Sequence, residues 1–509
     1  MTLSPLLLER SGWWRTAGLV TVGILALAPA LPLLSVAPEA SGRFLSQDPG
    51  GFLFLLAESM GLSIAGAGLA LVFGLFIGVT HFLYSFRCAA FFRFVFIVPV
   101  MVPPLLWAVG LRNLPLMMIP GRVGVVFITV MVTLPLVILA TISSCSVLNA
   151  GQCDAIRLGG GEWRLVRLSA RYAFPGALVA ACLGACLMLS CPGPSLALGT
   201  KTAISEILVS FSALYDTPVA AMESIFLSAA VLLIALSAIL SAGSRPAEIL
   251  SGAWNKVACR VHPVMSPVSF YSSLLCVVIL VIMPVSGLLL PALAIPDLSV
   301  IGDTLSRTAF NTVVYATGSA GIATCLGTVT ALLMGKSVWH RNVGACLMVV
   351  IFSLPASLTG LGLLSLSASA PEWTDFLLRS PAAVCLAQGI RLFPLSALLV
   401  VRVTGSLPSS WSMSAELHGL SLGMFMRKVV IPQLTRPVVT GFMVTFLLSE
   451  ADVGTVLLLH PPGVQNLPLA MLTIMANAPK ALLSQLGLVY LFFVTLILWI
   501  MDRVRRCAR

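Results

Sequence analysis

Three ionisable residues stand inside long apolar runs of this 509-residue chain. Arg391 lies in Gln388-Gly389-Ile390-Arg391-Leu392-Phe393-Pro394, and Glu450 and Asp452 lie in an apolar run that continues through Gly454. Charged side chains in such runs are costly and are functional candidates by default. For Arg391 the expected structural role is pairing with a carbonyl freed by Pro394, with solute contact as the alternative. Glu450 and Asp452 either line a path or cap a broken helix, and the sequence leaves both open. Glu223 is expected at an outer helix end. The five histidines (His81, His262, His340, His418, His460) are scattered and form no ligand set, so no resident metal site is expected. Twelve cysteines occur without CxxC pairs or zinc-type spacing. Cys182, Cys186 and Cys191 come nearest to a cluster, and helix packing accounts for them.

A second kind of chemistry is carried by two polar segments punctuated by glycine. One reads Ser414-Ala415-Glu416-Leu417-His418-Gly419, followed by Arg427-Lys428-Val429-Val430-Ile431-Pro432. The other, Asp154-Ala155-Ile156-Arg157-Leu158-Gly159-Gly160, sits about 260 residues earlier. Each opens on a small-residue helical turn, then meets a glycine that permits a reversal. Each continues in a basic amphipathic stretch and ends at a proline (Pro175; Pro432 and Pro437). Two readings are open: ordinary basic loops, or a helix–glycine–helix knob that a partner protein can grip.

The elements that must position these residues follow from composition. The chain is 59% hydrophobic and 9% charged, with a mean hydropathy of +1.05. A soluble domain has about 25% charged residues, so this is an all-α polytopic membrane protein. Apolar runs long enough to cross a bilayer, about 20 residues each, occur near 18–36, 60–83, 92–111, 123–146, 176–192 and 219–241. A second set lies near 269–293, 310–334, 343–367, 382–403, 437–459 and 481–501, which makes twelve. The first run is read as a retained helix rather than a cleaved signal. Pro99, Pro103 and Pro104, and Pro355, Gly360 and Gly362, interrupt the third run of each set, as in broken helices that line cavities.

With the N-terminus inside, the loops place 21 basic residues on the cytoplasmic side and 7 outside, with Arg391 within a span, which accounts for all 29. That asymmetry puts both termini and both polar loops in the cytoplasm. The net charge of +11 then reflects membrane insertion, and no nucleic acid is expected as a partner. The two sets of six form a parallel repeat: residues 1–241 are the first half, 242–268 a cytoplasmic linker, and 269–509 the second half.

The second polar loop resembles the EAA signature of ABC-importer permeases, E-A-A-x-x-x-G followed by I-x-L-P. Met413-Ser414-Ala415, Gly419 and Val429-Val430-Ile431-Pro432 align with it, and the Gly-to-Pro spacing of 13 agrees. The first loop offers Asp154-Ala155-Ile156 and Gly160; after that glycine it reads about three residues short and lacks a clear L-P. Leu448 through Gly463, then Asn466-Leu467-Pro468-Leu469, is similar to the fused two-half permeases of ferric-iron and thiamine importers. So are Cys191–Gly199 and Ser205-Glu206-Ile207-Leu208.

The resemblance implies a type I importer permease fold of about twelve helices in a bacterial inner membrane. It implies that Asp154, Ala155, Gly160, Ser414, Ala415, Glu416, Gly419 and Pro432 form two coupling loops on a separate ABC ATPase dimer. An extracytoplasmic solute-binding protein would deliver the cargo: ferric iron first, thiamine or a phosphonate behind it. Arg391, Glu450, Asp452 and Gly454 are the candidate translocation path. The chain itself is expected to be no enzyme and to bind no cofactor, with ATP used by the partner. Its only near match to G-x-x-x-x-G-K-[ST] is Gly335-Lys336-Ser337, with Thr330 where the first glycine belongs. The alternative is a twelve-helix ion-coupled secondary transporter, which would need coupling carboxylates in its spans. Such a carrier usually also has a charged glycine motif between its second and third spans. Here that loop reads Ser85-Phe86-Arg87-Cys88-Ala89-Ala90, without acids.

Overall fold

Inside a bilayer the backbone has no water to bond, so only helices or closed barrels can cross it. The chain takes the first route. The computed structural model describes residues 12–46, 49–114, 121–243, 260–293, 298–369, 375–477 and 479–507. Its helices are α1 (Trp13–Leu27), α2 (Leu31–Ser46), α3 (Pro49–Leu83), α4 (Ala89–Met101), α5 (Pro104–Arg112), α6 (Gly121–Cys145) and α7 (Ala150–Leu189). There follow α8 (Gly193–Leu198), α9 (Ala203–Ser212), α10 (Thr217–Ala242) and α11 (Met265–Ala292, with a π-helical turn at Val278–Ile282). Next come α12 (Leu298–Met334), α13 (Val338–Ser353), α14 (Ala356–Ser369), α15 (Asp375–Leu378), α16 (Pro381–Ser406) and α17 (Ser409–Leu417). The last are α18 (Leu422–Ala451), α19 (Val453–Leu459), α20 (Leu467–Asn477) and α21 (Lys480–Cys507). Among the described residues, 10 helices are long and apolar enough to cross a membrane, or up to 12 if each of two bent pairs is one span.

The bent pairs are the third runs of each set. Between α4 and α5 the chain turns by 96°, and between α13 and α14 by 81°. The cause is local: Pro103 and Pro104 follow Val102, and Pro355 follows Leu354, so neither helix can continue its backbone ladder through the break. The expected single spans near 92–111 and 343–367 are therefore each two helices at a steep angle. The prolines at 175, 432 and 437, expected where each polar loop gives way to the next span, lie inside α7 and α18, which begin earlier and run through them. In α18 the π-helical turn at Met426–Val430 sits directly before Pro432, where an extra residue relieves the ladder that proline interrupts.

Packing recurs between the two sets. The α3, α6 and α7 helices pack as a three-helix group, and α12, α16 and α18 pack the same way. The short α8 leans on α5, as α19 leans on α14. The two sets also exchange their first helices. The turn at Ala28–Ala30, after α1, packs on α14, whereas α11 packs on α5. A Cβ added at Gly287 of α11 would overlap the Gly110 carbonyl of α5, and one at Gly362 of α14 would overlap the Pro29 carbonyl. Backbones approach this closely only where small residues leave room, which is how helices gain packing area in lipid. The tie between sets is thus built into both ends of the repeat. Most of the linker, residues 244–259, lies outside the described residues; its end returns at Arg260, whose backbone pairs with that of the loop after α3.

Candidate functional site

The second polar loop is α17, a reversal, and the start of α18. Gly419 has φ +67°, the left-handed conformation that side chains disfavour. It closes α17 with two bonds: Gly419 N–H donates to the Glu416 carbonyl at 2.9 Å, and Leu420 N–H to the Ala415 carbonyl at 2.9 Å. This pair satisfies carbonyls that the helix end would leave bare. Ser421 then caps α18 by accepting from Met424 N–H at 3.4 Å. Ala415 is buried against the neighbouring helices, whereas Ser414, Glu416 and Pro432 are exposed.

In the first polar loop Asn149 caps α7, accepting from Gln152 N–H at 2.8 Å while its own N–H donates to the Gln152 side chain at 3.1 Å. The helix breaks at Gly160 and Gly161. The left-handed residue is Gly161, with φ +73°, while Gly160 has φ −173°, extended backbone open to any residue. The turn expected at Gly160 is therefore made one residue later. Counted from the left-handed glycine, Pro175 follows after 14 positions and Pro432 after 13. By this count the first copy is one residue longer than the second, where it was expected to be about three shorter.

The two loops differ in how they are held. In the first, Arg157 meets Asp154 and Glu162, each at 3.0 Å, and Arg260 from the linker end meets Asp154 at 3.0 Å. Tyr84 donates its hydroxyl to Glu162 at 2.7 Å. Burial, then that bond and charge, raise the Tyr84 phenol above its ordinary range. At each tip a leucine faces outward: Leu158 is 92% exposed and Leu417 is 87% exposed. Neither was singled out by sequence. Their signal was a large apolar residue two or three places before the turn glycine, which becomes distinctive only once the turn is located.

The intramembrane charges converge at the break between α18 and α19. Arg391, eleventh of the 26 residues of α16, is buried and meets the Asp452 carboxylate at 2.9 Å. Its partner is therefore a carboxylate 61 positions along the chain, not the carbonyl expected from Pro394. Asp452 also caps α19, accepting from Thr455 N–H at 3.4 Å and from the Thr455 hydroxyl at 2.6 Å. Gln388, one turn before Arg391, donates to the Ser449 and Asp452 carbonyls at 2.9 and 3.3 Å and accepts from Ser319 at 2.8 Å. The end of α18 is thus anchored to α16 and α12 by a connected polar network, the form in which buried polar groups are tolerated. Glu450 does not join it; it caps no helix and is buried. Glu223 lies in the second turn of α10 and is also buried.

The corresponding break of the first set, Cys191-Pro192 between α7 and α8, meets this one. A Cβ at Gly454 would lie 3.3 Å from the Ala356 side chain and 3.4 Å from Pro192. The Cys191 thiol lies within electrostatic reach of both Asp452 and Arg391. Two broken helices, one from each set, therefore abut around a buried ion pair. No group of three or more metal-ligating side chains occurs among the described residues.

Comparison with known proteins bears on the second set. Residues 323–509 match the family of binding-protein-dependent transport system inner membrane components. This stretch is similar to the membrane component of such transport systems. It begins within α12 and includes the second polar loop, Arg391 and the Asp452 break. No curated protein and no solved structure matches the chain. A membrane component is in keeping with the ten to twelve apolar helices of the described residues.

Proposed function

We propose that the whole chain is the permease of a binding-protein-dependent ABC importer, with both halves fused in one polypeptide. The observation that carries this reading is the pair of polar loops. Each is a helix broken at a left-handed glycine, Gly161 or Gly419, with an exposed leucine at its tip. With each bent pair counted as one span, both loops follow the fourth span of their half, and chain parity then supports placing them on one side of the membrane. The basic-residue asymmetry makes that side cytoplasmic, with both termini, in a bacterial inner membrane.

An apolar knob on a short helix fits a groove of a partner by burying its side chains. Each loop docks on one subunit of an ATPase dimer, and closure of that dimer on ATP moves α7 and α18, the helices that carry the two abutting breaks. Asp154, Ala155, Ser414, Ala415 and Glu416 shape the docking helices, Gly161 and Gly419 turn them, and Pro432 follows the π-helical turn inside α18. Arg391, Asp452 and Gly454 line or gate the path at the centre. An extracytoplasmic binding protein delivers the cargo, with ferric iron as first choice and thiamine or a phosphonate behind it.

The test is contact at the tips. Cysteine placed at Leu158 or at Leu417 should cross-link to the cognate ATPase subunit in membranes, and the yield should change when ATP is trapped. Cross-linking from neither position would remove the basis of the reading.

A further inference from the structure

Two buried polar side chains at the seam between the halves have no hydrogen-bond partner among the described residues. They are Glu450, at both carboxylate oxygens, and Tyr490, at its hydroxyl. Each residue is only 5% exposed. Glu450 is the penultimate residue of α18, two positions before Asp452 at the central break. Tyr490 belongs to α21, in the apolar cluster where Trp107 and Leu106 of α5 meet Leu447 of α18. A Cβ at Gly487, one turn before Tyr490, would lie 3.1 Å from Leu106. The pair therefore sits where the second half touches the broken third helix of the first.

The Glu450 carboxylate bears electrostatically on Tyr490, on Tyr315 of α12 and on Cys385 of α16. Two of these are already engaged: the Tyr315 hydroxyl donates to the Val464 carbonyl at 3.0 Å, and the Cys385 thiol to the Tyr315 carbonyl at 3.8 Å. Arg391 is committed to Asp452. Glu450 thus has a hydroxyl to share a ligand with and, among the described residues, no cation paired with it. An ionised carboxylate in such a place is costly, so the group is neutral unless a positive partner takes the place of its proton.

We propose that Glu450 and Tyr490 form a binding station for a small cation at this seam, and that the cargo crosses as a cation. The inference rests on the permease reading and narrows its cargo. Carboxylate and phenol oxygens are hard donors suited to a hard metal ion, and a phenol face also attracts an organic cation. A ferric ion and thiamine share the required positive charge. A phosphonate carries no positive charge to take the place of the carboxyl proton.

The experiment uses the full chain in lipid nanodiscs with three probes: terbium(III) chloride for a hard metal ion, thiamine for an organic cation and methylphosphonate for an anion. Terbium emission excited through tyrosine reports whether a phenol lies beside the ion. At least one cation should bind saturably, and Glu450→Gln should weaken it by about tenfold or more, as expected when a charged partner is lost. Glu450→Asp should retain part of the binding. Tyr490→Phe should reduce sensitised emission if terbium binds, Trp107 and Tyr315 remaining as donors, and weaken thiamine if thiamine does, with the unfolding temperature unchanged. Saturable methylphosphonate binding, absence of binding by both cations, or binding indifferent to Glu450→Gln and Tyr490→Phe would overturn the station. Any of these results leaves the loop-to-ATPase cross-links standing, so failure here is distinct from failure of the permease reading.

Discussion

Asp452→Asn should destabilise the protein by about 3–5 kcal/mol, because it leaves the Arg391 guanidinium buried without its counter-charge. Asparagine is as good a helix cap as aspartate, so this substitution separates the ion pair from the capping of α19. Asp452→Ala should cost about 1 kcal/mol more through the lost cap. Arg391→Met in the Asp452→Asn background should recover most of the loss, since removing both charges removes the unpaired one. Thermal unfolding in detergent, arranged as a double-mutant cycle, measures the coupling. Additive losses would mean that the two side chains, 2.9 Å apart in the structure, do not depend on each other.

The second large effect concerns the turn glycines. Gly161→Val and Gly419→Val each place a β-branched side chain at φ +73° or +67°. Neither position has any atom within 4 Å of an added Cβ, so the cost is conformational rather than steric. A left-handed residue with a side chain costs about 1–2 kcal/mol, which shifts a two-state population by about five- to thirty-fold. Under the proposed coupling role, the expected result is loss of ATP-driven uptake by a factor in that range, with the helix bundle intact. Gly160→Ala should be mild by comparison. Its backbone is extended, and an added Cβ meets chiefly the Arg164 side chain, which is flexible and can move aside. Uptake assays on the three variants, matched for folded protein, decide this. A larger loss at Gly160 than at Gly161 would place the turn one residue earlier than the structure does.

How far these features could be read beforehand depends on their range along the chain. The bends at 96° and 81° were legible because proline acts on its own helix, and Pro103, Pro104 and Pro355 announce the breaks locally. The Gly419 turn was legible because a single glycine stands among helix-forming residues. The first loop was not, because Gly159, Gly160 and Gly161 are adjacent and composition cannot say which one takes the left-handed conformation. Pairing of Arg391 with Asp452 was out of reach for a different reason. Residue types flagged each as costly, but only packing of α16 against the α18–α19 break decides that they meet. Exchange of α1 and α11 between the halves is likewise a matter of surface fit at Gly287 and Gly362, which no periodicity encodes.

The account stands on one claim: movement of solute is driven by ATP hydrolysed on a separate subunit and transmitted through the two loops. The direct measurement reconstitutes the full chain with its cognate ATPase in proteoliposomes, with binding protein and labelled solute on the outer side and ATP on the ATPase side. The account predicts uptake that requires ATP and falls with Gly161→Val or Gly419→Val. Uptake driven by an ion gradient without any ATPase, and unaffected by either substitution, would contradict it.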